Sequence, residues 1–315
     1  RDSQLKLEYQ VDLDLYKSLL ENLYQVGILE AISLSDIHLI EWARVPDVDK
    51  PASPKKGLIG IIALFLGVVS GFGLCFLMEY LDDTIRKPGD TRELGLTLIG
   101  VIPLLRGKKS SIISKRDPRD PICETYRTVR NRLKLANRDR PIRTLLVMSS
   151  LEGEGKTTVA VNLGISITRE GKQVLLMDTD FWKPTIHELF GVPNSSGITN
   201  ILAKETSITN DIIKTDVEGL SILTSGPVPP DPGRVIESGD INGIIRDLAQ
   251  QYDAVILDSP AILSSSDAIV LAGYVHYSLL VMESGKLTRR ALSDAAELLH
   301  SANIKAVGAI LNKLR

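Results

Sequence analysis

Cysteine is scarce in this 315-residue chain: Cys75 and Cys123 are the only two. Two cysteines cannot build a disulfide framework, which fits a reducing compartment for most of the chain. Net charge is small as well, −2 at neutral pH, and such a balance implies no nucleic-acid partner. The four histidines, His38, His187, His276 and His300, are isolated. No metal-ligand spacing links them, which excludes a zinc-type site built from histidine and cysteine. An initial methionine is also lacking. A start at Arg1 reads as a fragment boundary and leaves a signal peptide upstream open.

Charge is unevenly distributed. From Arg86 to Arg143 there are sixteen Lys or Arg against six Asp or Glu. Immediately before this stretch, "GLIGIIALFLGVVSGFGLCFLM" (57–78) runs without a charge. At about 1.5 Å per residue it is long enough to cross about 30 Å of hydrocarbon as a helix. Its small residues, including the "GVVSG" spacing, suit close helix packing in a membrane. The basic stretch that follows predicts a cytoplasmic side after the helix, which leaves residues 1–56 outside. In that outer part, Leu13, Tyr16, Leu20 and Leu23 are at helical spacing, while "LKLEYQVDLDL" alternates and leaves the helix assignment open there. "IHLIEWARVP" reads as a short strand, and "VPDVDKPASPKK" as an extended approach to the membrane. After the membrane, residues 79–119 read as a short connector to a small docking segment ("EYLDDTIRKPGDTRELGLTLIGVIPLL"), followed by a flexible basic linker that starts at "RGKKSSIISKRDPRDP". Attraction to anionic lipid headgroups is a secondary reading of that linker.

From Ile142 onward the pattern changes. "TLLVMSS", "QVLLMDTD", "LSILTSG", "DAVILDSP", "YSLLVMES" and "VGAILNKL" are continuous apolar runs, and most are separated by helical patterns. This predicts an α/β fold, a doubly wound, mainly parallel sheet with helices on both faces.

Within this pattern lies "SSLEGEGKTT", after a strand and before a helix. That context is the one a phosphate-binding loop requires, although Ser150 occupies the usual first glycine. Gly153, Glu154, Gly155, Lys156, Thr157 and Thr158 are the candidate nucleotide contacts. The glycines let backbone N–H groups turn toward phosphate, and the helix N-terminus adds its positive end. Lys156 is expected to reach the β- and γ-phosphates of ATP, and the Thr157 hydroxyl to ligate Mg²⁺. Asp178 and Asp180 close the next strand, where an open α/β sheet presents its ligand crevice. A helix N-cap is the competing role for this pair. Asp258 ends another apolar strand and has the form of the acid that holds Mg²⁺ through water. On "ICETYRTVRNRL", Glu124, Arg127 and Arg130 form one slanted helical stripe, which from spacing alone reads as a solvated charged face.

Together these residues resemble the bacterial tyrosine autokinases fused to polysaccharide co-polymerases, the chain-length regulators of capsule and exopolysaccharide export. The resemblance covers nearly the whole chain, with residues 1–56 as the end of a larger extracytoplasmic α+β domain, 57–78 as a transmembrane helix and 120–315 as the kinase domain. It implies an inner-membrane protein-tyrosine autokinase using ATP and Mg²⁺. By the resemblance, Asp178 is the candidate base for the tyrosine hydroxyl, Asp180 assists at Mg²⁺ together with Thr157 and Asp258, and Asn312 in "GAILNKL" lies by the adenine. "ETYRTVR" matches the family's oligomerisation motif, which gives Glu124, Arg127 and Arg130 a role in a homo-oligomeric ring. The implied partners are the lipid bilayer, polysaccharide polymerase and export machinery, and a tyrosine phosphatase.

Two features depart from the family pattern. Asp231 stands where an asparagine is usual, and no tyrosine follows Tyr277, whereas the family ends in a tyrosine cluster. Two other readings compete. A Min/Par-type ATPase shares the loop and fold but carries a second lysine where this chain has Leu151. A non-phosphorylating, ATP-gated assembly scaffold also remains open.

Overall fold

The structure is a computed structural model that describes residues 2–33, 55–90, 96–104, 112–137, 141–238, 240–304 and 307–314. The chain divides into two compact units, residues 1–76 and 77–315.

The first unit holds helix α1 (Asp2–Ser33) and most of helix α2 (Lys56–Leu81). The alternating start of the chain is therefore helical, continuous with the segment at helical spacing. The expected strand at 37–46 and the proline-rich stretch after it lie outside the described residues. Helix α2 has no buried residue, and by length and composition it is long and apolar enough to cross a membrane. An apolar surface of this extent suits an apolar medium.

The second unit is an eight-stranded sheet. In chain order it comprises β1 (Thr97–Pro103), α3 (Pro121–Ala136), β2 (Thr144–Ser149), α4 (Lys156–Thr168) and β3 (Val174–Asp178). Short helices α5 (Ile186–Phe190), α6 (Ile198–Leu202) and α7 (Ile208–Asp211) lead to β4 (Ile212–Lys214) and β5 (Leu220–Leu223). Then come α8 (Pro232–Ser238), α9 (Ile241–Gln251), β6 (Ala254–Asp258), α10 (Asp267–Ala272), β7 (Tyr277–Glu283), α11 (Arg289–Ser301) and β8 (Val307–Leu314). The spatial order is β1-β8-β7-β2-β6-β3-β5-β4, with every neighbouring pair parallel except β4–β5.

The strands are apolar on both faces because the sheet has a core on each side. Leu146, Met148, Leu175, Met177, Val255, Leu257, Leu280 and Met282 enter one core with α9, α10 and α11. Their alternating neighbours Leu145, Val147, Val174, Leu176, Ala254, Ile256, Leu279 and Val281 enter the other with α3 and α4. This is the two-residue period of a strand covered on both sides.

The expected linker is corrected on two counts. Strand β1 is an integral edge of the sheet, parallel to β8, and α3 packs so closely on it that a Cβ at Gly100 would lie 2.5 Å from Val129. Ile112 and Ile113 are buried in the core beneath α3 and α4. The Ile113 N–H donates to Asn162 Oδ1 at 2.9 Å, and a 3₁₀ turn (Ile113–Lys115) follows. Two isoleucines inside a polar string are enough to anchor it, at about 25 cal/mol per Å² of apolar surface buried. Nearer to α2, Ile85 is fully buried and exchanges backbone hydrogen bonds with Leu287 and Gly285, each at 2.8 Å. The sheet unit therefore begins well before Asp120.

Candidate active site

Strand order brings the carboxyl ends of β2, β6 and β3 side by side. Val147 and Asp178 both pair in register with Asp258. The loop from Ser150 to Gly155 leaves β2 and opens directly into α4. Gly153 and Gly155 have φ of +80° and +93°, a region L side chains avoid. A Cβ at Gly155 would also lie 2.4 Å from Asn312 Nδ2. Three successive loop carbonyls are occupied by protein donors. Lys286 Nζ donates to Glu152 O at 2.7 Å, Lys313 Nζ to Gly153 O at 2.9 Å, and Asn312 Nδ2 to Glu154 O at 2.7 Å. Occupied carbonyls and a helix N-terminus together suit an anion.

The Glu154 side chain turns inward. Its carboxylate is fully buried and accepts the Leu151 N–H at 2.7 Å and the Glu283 N–H at 3.1 Å. Burial pushes its pKa up to about 7, against the pull of those amides and of Lys286. It braces the loop against the end of β7. Asn312, expected by the adenine, is likewise buried and spends its amide on the loop. Neither role is readable from the motif, because both depend on contacts more than a hundred residues away. Leu151, at the position where a second lysine would stand, packs against the core.

Lys156 Nζ lies 2.8 Å from Asp180 Oδ2 and 3.9 Å from Asp258 Oδ1. Burial acts to lower its pKa, but Asp258 and Asp180 outweigh burial and raise it. Thr157 Oγ1 donates to Asp258 Oδ2 at 2.6 Å and accepts from the Thr185 hydroxyl at 3.2 Å. Asp258 is fully buried and its pKa is raised to about 6 by burial, with Lys156 and Thr157 opposing. Its Oδ1 has no hydrogen-bond partner among the described residues. An orphaned buried carboxylate oxygen beside a hydroxyl is a hard oxygen pair suited to Mg²⁺, which takes few protein ligands and completes its shell with water and phosphate. Among the described residues no group of three or more His, Cys, Asp or Glu could hold a metal ion.

The two acids after β3 keep different partners. Asp178 accepts the N–H groups of Thr185 and Ile186, each at 3.0 Å, and of Asp180 at 3.3 Å. It is fully buried, and burial, followed by the Asp258 charge, pushes its pKa up to about 8. Asp178 therefore takes a capping role at the start of α5. Asp180 is also buried and accepts the Trp182 and Lys183 N–H groups at 3.2 and 2.9 Å through Oδ1, but it lines a cleft of about 600 Å³ whose floor is the loop and whose walls are formed from residues within 180–185 and 260–265 and by Lys313. Lys183 pairs with Glu152 at its rim. Sequence reasoning missed Trp182, Thr185 and Lys313 in this cleft, although two of them directly follow the Asp178–Asp180 motif.

The stripe on α3 divides. Glu124 and Arg127 pair at 3.2 Å in the open. Arg130 is buried, donating to Ser166 O and pairing with Glu170 at 3.0 Å. Asp231 accepts the Arg234 N–H at 3.4 Å near the start of α8, away from the cleft.

Comparison with known proteins agrees with this geometry. Residues 143–305 match the AAA domain family, and residues 3–80 match the family described as "G-rich domain on putative tyrosine kinase". The chain is 36% identical to tyrosine-protein kinase YwqD of Bacillus subtilis over 202 residues, covering 64% of this chain and 85% of YwqD. It is 29% identical to "Putative tyrosine-protein kinase EpsB" of Ralstonia nicotianae over 324 aligned positions, covering 99% of this chain but only 43% of that protein's length. The kinase domain of Escherichia coli tyrosine kinase ETK superposes with a TM-score of 0.68 at 27% identity, covering 73% of this chain and 95% of the domain.

Proposed function

The chain belongs to the bacterial tyrosine kinases in which a G-rich domain precedes an AAA-type nucleotide domain, and from that premise we propose that it transfers the γ-phosphoryl group of ATP to protein tyrosine at a membrane. The observation that carries the proposal is the Lys156–Asp180–Asp258–Thr157 cluster, in which Lys156, Thr157 and Asp180 line the cleft and the fully buried Asp258 keeps one carboxylate oxygen without a hydrogen-bond partner among the described residues.

In this reading, Lys156 exchanges its Asp180 partner for phosphate oxygens, and the helix α4 N-terminus and the loop amides hold the polyphosphate. Thr157 and Asp258 would hold Mg²⁺, which when bound neutralises charge on the β- and γ-phosphates. Asp180, released by Lys156 and still held through Oδ1 by the Trp182 and Lys183 amides, lines the cleft that would receive the acceptor. The tyrosine oxygen attacks the γ-phosphorus, the bond to the β–γ bridging oxygen breaks, and ADP leaves with that electron pair. The phenolic proton passes to Asp180, the acid of the pair that lines the cleft.

At the level of the whole protein, α2 spans the inner membrane with the sheet unit in the cytoplasm. Glu124 and Arg127 contribute to a ring of copies, and the ring's assembly state regulates the length and export of a surface polysaccharide. The test is phosphate transfer. The full chain incubated with γ-labelled ATP is expected to carry label on tyrosine, and Asp180→Asn to lose it. Intact ATP binding with no label on any tyrosine would reject the kinase in favour of an ATP-gated scaffold.

A further inference from the structure

Trp182 combines exposure with a fixed position. Its side chain is 54% exposed, although an indole is costly to leave in water. Yet it is held in place, because Nε1 donates at 3.0 Å to Oδ2 of the buried Asp267. It is the one aromatic side chain lining the cleft among the described residues, two positions beyond Asp180.

Sheet order says which end of the cleft it occupies. The end of β8, with Asn312 and Lys313, lies on one side of β2, and the end of β3, followed by Asp180 and Trp182, lies on the other. Lys156 leans toward the β3 side, 2.8 Å from Asp180, so the terminal phosphate belongs on that side. The acceptor must approach in line behind it, past Trp182.

We infer that Trp182 is the platform on which the aromatic ring of the acceptor tyrosine stacks, with the Asp267 hydrogen bond fixing the indole in advance. An aromatic face pinned before binding loses little freedom when a second ring docks, which favours stacking in an offset or edge-to-face arrangement. The inference rests on the kinase reading above and adds the group that recognises the substrate ring. Trp182 positions the acceptor and takes no part in the proton or phosphoryl transfer.

The experiment uses the full chain, with a short peptide carrying one tyrosine as acceptor and saturating ATP. Trp182→Leu and Trp182→Ala are expected to raise the KM for the peptide about tenfold, equivalent to about 1.4 kcal/mol. Trp182→Phe, which keeps a ring, is expected to stay within about twofold of wild type. ATP affinity is expected to be unchanged in all three. Wild-type peptide KM in Trp182→Leu, or a loss of ATP affinity in its place, would overturn the inference while leaving the kinase reading intact. Absence of transfer by the wild-type protein would overturn both.

Discussion

Glutamine at position 154 would test how the phosphate loop is braced. The Glu154 carboxylate is buried between the Leu151 and Glu283 amides, with Lys286 as the neighbouring cation. Its pKa rises from an ordinary 4.5 to about 7, because burial penalises the charge more than these partners stabilise it. Between those two values the folded chain holds a proton that the unfolded chain has released, so stability falls as pH rises through the window. Below about pH 4.5 the penalty is absent, and above about pH 7 it is complete. At about 1.36 kcal/mol per pH unit, the rise corresponds to about 3 kcal/mol. For a unit of this size that is a shift in melting temperature of roughly 6–12 °C. Glu154→Gln keeps the shape and cannot ionise, at a pH-independent cost of about 1 kcal/mol for one mismatched N–H. Calorimetry of wild type and variant from pH 5 to pH 8 should therefore show the variant gaining on wild type by several degrees as pH rises. Parallel curves would refute the argument that this carboxyl is held in a desolvated brace.

Four further substitutions separate structural from functional residues. Lys156→Met should abolish ATP binding and cost about 3–5 kcal/mol of stability at pH 8, because it strands the buried Asp258 carboxylate, but less at pH 5, below the value of about 6 to which burial raises Asp258; paired melts at the two pH values check this. Arg127→Ala should leave the melting temperature within about 0.5 kcal/mol of wild type, whereas Arg130→Ala should cost about 3 kcal/mol; sedimentation velocity alongside the melts then identifies Arg127 as the cleaner probe of assembly. Ile113→Ala should cost about 3 kcal/mol in chemical denaturation, a loss a flexible linker would not show.

The six strands seen in the sequence were legible because burial on both faces makes them continuous apolar runs. β1 was not, since Gly100 and Pro103 interrupt it and its pairing shifts register against β8. β4 has three residues and joins the sheet by a single antiparallel pair of strands. The candidate site was legible where its residues are local to a motif, as with Lys156, Thr157, Asp180 and Asp258. It was not legible where chemistry depends on distant partners. Glu154 and Asn312 belong to the loop's support through contacts with β7 and β8. Arg130 shares a helical stripe with Arg127, yet Ser166 and Glu170 bury it, because α4 covers only one side of α3. The parity of the Asp178–Thr179–Asp180 segment could not say which acid faces the cleft, since Asp178 is captured by the amides that open α5.

The most direct test of the account is the Mg²⁺ dependence of ATP affinity, measured by titration calorimetry on wild type and Asp258→Asn. If the ends of β2, β3 and β6 form one Mg·ATP site, wild type binds ATP much more tightly with Mg²⁺ than without it, and the variant loses most of that difference. Equal affinity with and without Mg²⁺ in wild type, or an undiminished Mg²⁺ effect in the variant, would contradict it.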